Sequence, residues 1–506
     1  MATDRVPEPR SERWRMLLDA LATALATHGA QAWLVGGCLR NALLGQPAGD
    51  IDLAVTCAPL PLAEALHALR KPAIWVAPLN RDSVRVGLFA AKGAKAPQLD
   101  LSLLRGASIS NDLAQRDFTV NALALPLSAR EVLLARMAEI EQHAQKISGT
   151  EPIRRLPGLL DPLGGVNDLA QRTLTPASDR ALHADYGRIL RAARLIATYG
   201  FSASPSLIAS AHATAPKLIS LPGDRLRDEL NELFTAARAA DGLDFLAETG
   251  ALTALFPTLQ RPAVVAHAIA SVRATSGLQQ DYSAGKLEIT GIEALATLDG
   301  LRTWYAAPLP DGLPRIVALR WGLLLHAAYA HTAGSAEAPG TRSDAPSSVI
   351  AAHPGWRLAK AEQTIFWHLV SGALHTIRMQ LAGTHGEPVT EMQAALLFHE
   401  HGEITVDLLV AAVACNAALV TAPLDGEHYV AGLDAAARSL LELFFNDRER
   451  LIPPPLLSGS DLAREPDAIP GPAIGRVLHA VRLAQLRGDV ATRDEALALA
   501  RRLTAS

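Results

Sequence analysis

The alternation of apolar and polar positions divides the chain into a sheet-forming segment and a long helical remainder. Leu17, Leu18, Leu21 and Leu25 recur at helical spacing and predict one apolar face of a helix capped by Ser11 and stopped by Gly29. Ala32–Val35 is an unbroken apolar run and predicts a buried strand. Gly36–Gly37 interrupts it, and the helical segment CLRNALL follows, closed by Gly45. A second strand, Ile51–Val55, turns Ile51, Leu53 and Val55 to the core, with Asp50 and Asp52 on the opposite face. A helix near Leu62–Leu69, strands Ile74–Ala77 and Val84–Phe89 around an Asn80–Asp82 turn, a Lys/Gly loop and a strand Gln98–Leu104 complete a small mixed sheet by about residue 125. In the last strand Leu99, Leu101 and Leu103 share one face and Asp100 and Ser102 the other. Helical periodicity dominates thereafter, so the predicted fold class is α+β, a sheet domain followed by a mostly helical body.

Composition narrows the class without changing this picture. A length of 506 residues predicts three or more domains, and 49% hydrophobic with 19% charged content is ordinary for a globular chain. The formal net charge of −4 speaks against indiscriminate coating of nucleic acid but allows a local basic groove. Cys38, Cys57 and Cys415 have no metal-type spacing, and so sparse a set fits a reducing compartment, hence a cytoplasmic location. No apolar leader and no membrane span are read.

The chemistry concentrates in WLVGGCLRNALLGQPAGDIDLAV, Trp33–Val55. Carboxylates on one sheet face repel each other unless a cation lies between them, and hard oxygen ligands suit Mg²⁺ held beside a phosphate. Gly36–Gly37 offers backbone that a triphosphate can approach closely, and Arg40 can fork onto a phosphate. Asp100 is positioned to be a third carboxylate.

In order and spacing this stretch resembles the signature of the DNA polymerase beta-like nucleotidyltransferases, more narrowly the bacterial-type (class II) tRNA nucleotidyltransferase and poly(A) polymerase family, LVGG-x-R-D-x-LLG followed by D-x-D. Asn41 stands where the family has Asp. Further segments carry the resemblance. LDLSLLRG is similar to the E-x-x-x-x-R strand, and QRDFTVNAL (Gln115–Leu123), expected as a helix, to the RRDFT-x-NAL box, with Gln115 for its first Arg and Arg116 for its second. LDPLGGVNDL is similar to the DP-x-GG-x-x-DL box, in which Asp161 and Asp168 are expected to be structural. DYGRILRAARLIATYGF (Asp185–Phe201) is similar to ED-x-x-R-x-LR-x-x-RF, with Ala184 in place of the Glu. The resemblance is specific over about Trp33–Pro257 and weaker over Pro454–Arg502.

The resemblance implies template-independent addition of C and/or A to the 3′ end of tRNA from CTP and ATP, with release of pyrophosphate. It implies Asp50, Asp52 and Asp100 as catalytic carboxylates, Asp50 and Asp52 as Mg²⁺ ligands, and Gly36, Gly37, Arg40 and Arg116 at the triphosphate. Asp185, Arg188, Arg191 and Arg194 would bind the nucleotide, with Asp185 and Arg188 three apart on a helix reading the base. Cytosine and adenine both present an exocyclic amine beside an unprotonated ring nitrogen, so one carboxylate and one guanidinium accept both and reject uracil and guanine. A poly(A) polymerase acting on general RNA and an inactive RNA-binding protein are the alternatives.

The expected domains are a head (1–125), a base-recognising helical neck (126–260), a helical body (261–445) and a tRNA-binding tail (446–506). In the body, LLLHAAY places His326 before Ala327, where many relatives carry a His-Asp metal pair, so no metal site is expected there. Gly334–Ser348 reads as a loop, and Arg476, Arg482 and Arg487 are assigned to RNA backbone or to a solvated helix face. Relatives that add all of CCA place a long flexible loop before the RRDFT box. Only Gly106–Gln115 occupies that place here, which implies efficient CC addition and impaired addition of the final A, unless the flexible Ala91–Pro97 serves instead.

Overall fold

The computed structural model describes residues 10–69, 74–89, 97–142, 153–278, 292–330, 360–370, 373–383, 389–463 and 471–505. Most of the loop 91–97 and all of 334–348, for which expectations were stated, lie outside the described residues. The chain forms two compact units, one from Met1–Leu221 with Glu248–Ala251, the other from Pro222–Ala247 with Leu252–Ser506.

The first unit opens with α1 (Arg10–His28), β1 (Ala32–Val35), α2 (Gly37–Leu43) and β2 (Ile51–Val55). After α3 (Pro59–Leu69) come β3 (Ile74–Asn80), β4 (Ser83–Leu88) and β5 (Gln98–Leu103), then α4 (Ile109–Ala114) and β6 (Ala124–Pro126). The strands form one mixed sheet in the order β3-β4-β5-β2-β1-β6. Leu34, Ile51, Leu53, Leu99 and Leu101 are fully buried or nearly so, as are Leu17, Leu18 and Leu21 of α1 and Leu62 and Leu66 of α3, so the apolar spacing read along each element becomes one core.

The other sheet face carries the chemistry. β2 and β5 pair in parallel with Asp52 beside Asp100, and Val35 of β1 lies opposite Asp52. On the same face Ala54 packs with Val35, Leu113, Ala122 and Ala124. These side chains are mostly small, so the segment that follows β5 approaches the sheet closely. The neck continues in α5 (Arg130–Gln142), α6 (Gly165–Ala170), α7 (Ala181–Ala184), α8 (Arg188–Tyr199) and α9 (Pro205–Thr214).

Two local expectations are corrected. Gln115–Leu123 is not a helix: α4 ends at Ala114, Phe118 is extended, and only a single 3₁₀ turn, Thr119–Asn121, follows. Asp117 accepts the Phe118 N–H at 2.8 Å and Thr119 Oγ1 donates to Asp168 at 2.5 Å, side-chain bonds that replace helical ones. Asp185 is likewise outside α8, in extended backbone after α7. Its Oδ1 accepts the Gly187 N–H at 3.0 Å and its carbonyl accepts the Arg188 N–H at 3.2 Å, a turn that leads into the helix.

The second unit is helical. Its helix Ile404–Thr421 is long and apolar enough to cross a membrane, but 78% of that apolar stretch is buried as a core element. His326 is half-buried, its Nδ1 2.9 Å from the Leu369 carbonyl, and desolvation lowers its pKa to about 4. Helices Gly471–Arg487 and Arg493–Ala505 pack through Val477, Val481, Ala496 and Ala500.

Candidate active site

The site is built on the turn after β1. Gly36 has φ +77°, a conformation that side chains disfavour, and a Cβ there would lie 3.3 Å from both Asp52 Oδ2 and Arg116 Nη1. The turn is therefore the floor between a carboxylate and a guanidinium, and only glycine keeps that space open. A Cβ on Gly37 would meet Arg40 Nη2 at 3.3 Å.

Asp52 is half-buried, and its pKa is pushed up to about 6, first by desolvation, then by neighbouring Asp100, against the pull of Arg116 and Arg191. Asp50 lies in the bend just ahead of β2 rather than in the strand, and its Oδ1 is buried without a hydrogen-bond partner. A buried oxygen with no donor beside a carboxylate that resists ionisation is the environment a hard cation relieves. Asp50 and Asp52 thus fit a divalent ion. Asp100 is on the same face but engaged elsewhere: Arg85, opposite it on β4, donates Nε to Oδ1 and Nη2 to Oδ2, both at 2.7 Å. Among the described residues no three His, Cys, Asp or Glu side chains gather about one point.

Arg40 is corrected with respect to its direction. It is buried, with Nη1 donating to Asn121 at 2.5 Å, Nη2 to Tyr199 at 2.6 Å and Nε to Asn41 at 3.2 Å. Its guanidinium stacks 4.3 Å from the Tyr199 ring centre, and burial pulls its pKa below the ordinary value. It braces the glycine turn against α8 from inside instead of reaching outward. Asn41 Oδ1 accepts from both Arg40 and Tyr199.

Arg116 is held beside Asp52 by Asp112. That carboxylate, 2% exposed, accepts from Arg116 Nε at 3.0 Å and from the backbone and side chain of Arg105 at 3.1 and 3.2 Å. Asp112→Asn should therefore leave the fold intact and raise the KM for nucleotide roughly tenfold, the scale of one charge-assisted hydrogen bond. Steady-state kinetics beside a melting curve would check it, and an unchanged KM would remove Asp112 from this role.

Arg188 is clamped to backbone, Nη1 donating to the carbonyls of Arg116 and Ala181 and Nη2 to that of Gln115, each at 3.0 Å. The QRDFT segment and the start of α8 are thereby locked together, with Asp185 adjacent. Burial lowers the Arg188 pKa, against the pull of Asp117 and Asp185. Arg191 pairs with buried Asp117 at 2.8 Å. Burial alone would raise Asp117, but Arg191, Asn121 and the Phe118 N–H hold it below the usual range. Arg194 is partly buried further along α8.

The glycine box supports this segment from behind. A Cβ on Gly165 would sit 2.2 Å from the Thr119 carbonyl oxygen, and Asp161 accepts the Gly165 and Val166 N–H groups at 2.7 and 3.0 Å. In the second unit Arg476 and Arg487 are exposed, and Arg482 Nη1 donates to Gln485 at 2.8 Å.

Sequence reasoning missed Arg85, Asp112, Asn121 and Tyr199. Asp112 was accessible from its four-residue spacing to Arg116. The others depend on tertiary pairing.

A mixed sheet with carboxylates on neighbouring strands, a Gly-Gly turn between them and a basic residue, and a helical neck behind define a polymerase-beta-like nucleotidyltransferase head. Residues 32–136 match the family model of the poly A polymerase head domain, and residues 200–261 that of the probable RNA and SrmB-binding site of polymerase A. The chain is 34% identical over 247 residues to the CC-adding tRNA nucleotidyltransferase of Geobacter sulfurreducens, a match spanning 49% of this chain and 50% of that protein. It is 29% identical over 494 residues to the A-adding tRNA nucleotidyltransferase of Deinococcus radiodurans, spanning 93% of this chain and 95% of that one. A solved CCA-adding enzyme with CTP shares the fold at TM-score 0.59 and 18% identity over 96% of both chains. The Thermotoga maritima CCA-adding enzyme complexed with tRNA does so at TM-score 0.57 and 19% identity over 95% of this chain and 94% of that one. Residues 32–136 thus form a poly A polymerase head domain, of the polymerase-beta-like nucleotidyltransferases that generally use a divalent metal.

Proposed function

We propose that the protein adds C and/or A to the 3′ end of tRNA, taking nucleotides from CTP and ATP, releasing pyrophosphate and using Mg²⁺. The observation that carries this is Asp52, half-buried beside Asp100 with its pKa pushed up to about 6, across the Gly36 turn from Arg116. Asp50 and Asp52 would hold Mg²⁺, which when bound supplies charge neutralisation at the triphosphate and activates the RNA 3′-hydroxyl. The Gly36–Gly37 turn admits the triphosphate, and Arg116, fixed by Asp112, receives its negative charge. Asp185 accepts from the exocyclic amine of C or A, and Arg188, oriented by three carbonyls, donates to the ring nitrogen. The free thiols of Cys38, Cys57 and Cys415 support a cytoplasmic location.

Two observations bear on which nucleotide is added. Gly106–Gln115 is compact, with α4 tied down through Asp112, and leaves no lid there, which favours CC addition. The nearly full-length likeness to an A-adding enzyme favours A. Purified protein with tRNA ending at the discriminator base, at C or at CC, each nucleoside triphosphate offered separately, separates them. Extension limited to one to three nucleotides on tRNA supports the proposal. Long A-tails on a generic RNA primer would establish a poly(A) polymerase, and no incorporation at all would overturn enzymatic function.

A further inference from the structure

We propose that Arg85 is a resident cation that competes with the divalent ion for Asp100, and so sets how tightly the nucleotide-free protein binds metal. This rests on the assignment of Asp50 and Asp52 as metal ligands. Strand register puts Arg85 opposite Asp100 and parallel pairing puts Asp100 beside Asp52, so the guanidinium stands one strand beyond the carboxylates, in the plane of the same sheet. The fork engages both Asp100 oxygens at 2.7 Å. A carboxylate bound through both oxygens has two of its four lone-pair sites committed and its charge offset by the guanidinium, so a metal ion recruits it less readily than a carboxylate without such a fork. Asp50 and Asp52 have no such fork, and Asp50 Oδ1 has no partner. The three carboxylates are therefore unequal: two are available to a cation and the third is withheld by a residue of the chain itself.

Withholding has a function. Without Arg85, three carboxylates would face Arg116 across the Gly36 turn with no cation on Asp100, and the face would attract divalent ions more strongly whether or not nucleotide is present. With Arg85 in place, the nucleotide-free site is partly neutralised, and an incoming phosphate–metal unit must compete with the guanidinium for the third carboxylate. Arg85 is a positioning residue, since it acts through Asp100.

The test is Mn²⁺ titration of the full-length, nucleotide-free protein, followed by electron paramagnetic resonance and calorimetry, on the parent and the Arg85→Gln, Arg85→Lys, Asp52→Asn and Arg85→Gln/Asp100→Asn variants. Arg85→Gln should bind Mn²⁺ about tenfold more tightly than the parent, and the double variant should lose that gain. Arg85→Lys, a single-point cation without the fork, should fall between. Thermal melts establish that each variant is folded. Equal or weaker Mn²⁺ binding by folded Arg85→Gln, or a gain that survives in the double variant, would overturn the proposal. Failure of the underlying metal assignment shows separately, as Mn²⁺ affinity unchanged in Asp52→Asn.

Discussion

Asp52→Asn abolishes nucleotide addition and, in the absence of metal, makes the protein more stable. The first effect follows from the seat formed with Asp50: losing one carboxylate ligand costs several kcal/mol of transition-state stabilisation, on the order of a hundredfold or more in rate. The second follows from burial. In the folded protein the pKa of Asp52 is about 6, against 3.8 for an unperturbed carboxyl. The folded state thus holds this proton more tightly than the unfolded chain does. Below about pH 4 the group is neutral in both states and carries no penalty. As pH rises from there through 6 the penalty builds, reaching roughly 2–3 kcal/mol at neutral pH. Asparagine removes it. Melting curves in chelator should therefore superimpose near pH 4 and separate in favour of the variant at pH 7, whereas added Mg²⁺ with CTP should stabilise only the parent. A variant that turned over at the parental rate, or melted lower at pH 7 in chelator, would contradict the assignment.

Asp185→Asn should weaken the base preference, not merely slow the enzyme. The Gly187 N–H fixes Oδ1 as an acceptor, so an asparagine in the same pose keeps its carbonyl there and turns its NH₂ outward. The outward atom changes from acceptor to donor, which suits the carbonyls of uracil and guanine and no longer the amines of cytosine and adenine, while Arg188 still opposes the ring N–H of the former pair. Discrimination of C over U should fall by roughly tenfold to a hundredfold, because a site built on paired polar groups penalises the unpaired base strongly. This variant is cleaner than Arg188→Ala, which would also release the carbonyls of Gln115, Arg116 and Ala181. The readout is kcat/KM for the four nucleoside triphosphates on one tRNA. Ratios unchanged from the parent would place base reading elsewhere.

How far the sequence could be read depended on the range of the interactions. Strands Ala32–Val35 and Ile51–Val55 end where period-2 patterning and the flanking turns said they should, because strand faces are a local property. The shared face of Asp52 and Asp100 followed from alternation, but their side-by-side pairing is set by sheet order. The departures lie where a side chain outcompetes the backbone ladder. Asp117 and Asp185 each capture a nearby N–H and break the helix expected at their position. Arg40 looked like an outward phosphate ligand because an Arg beside two glycines usually is one. Its actual partners, Asn121 and Tyr199, lie 81 and 159 residues away and leave no mark on the local pattern. Arg85 was hidden for the same reason: an Arg on a half-exposed strand reads as solvated until its neighbour is known.

The parallel union of β2 with β5 also bears on how the protein is made. Asp52 meets Asp100 only when a strand synthesised some 48 positions later inserts between β2 and β4. Asp117 waits longer still, for Arg191 on α8. On a ribosome, the growing polypeptide therefore carries a half-built head in which Asp52 precedes Arg116 and Asp117 precedes Arg191, the cations that offset them. Such long-range closure is slow relative to local helix formation, and unpaired strand edges in the interval invite misassociation. The matched head segment, residues 32–136, contains every sheet carboxylate of the site yet ends short of α8. The matched head segment is thus not self-sufficient in its electrostatics: the counter-charge of Asp117 arrives only with α8, outside it.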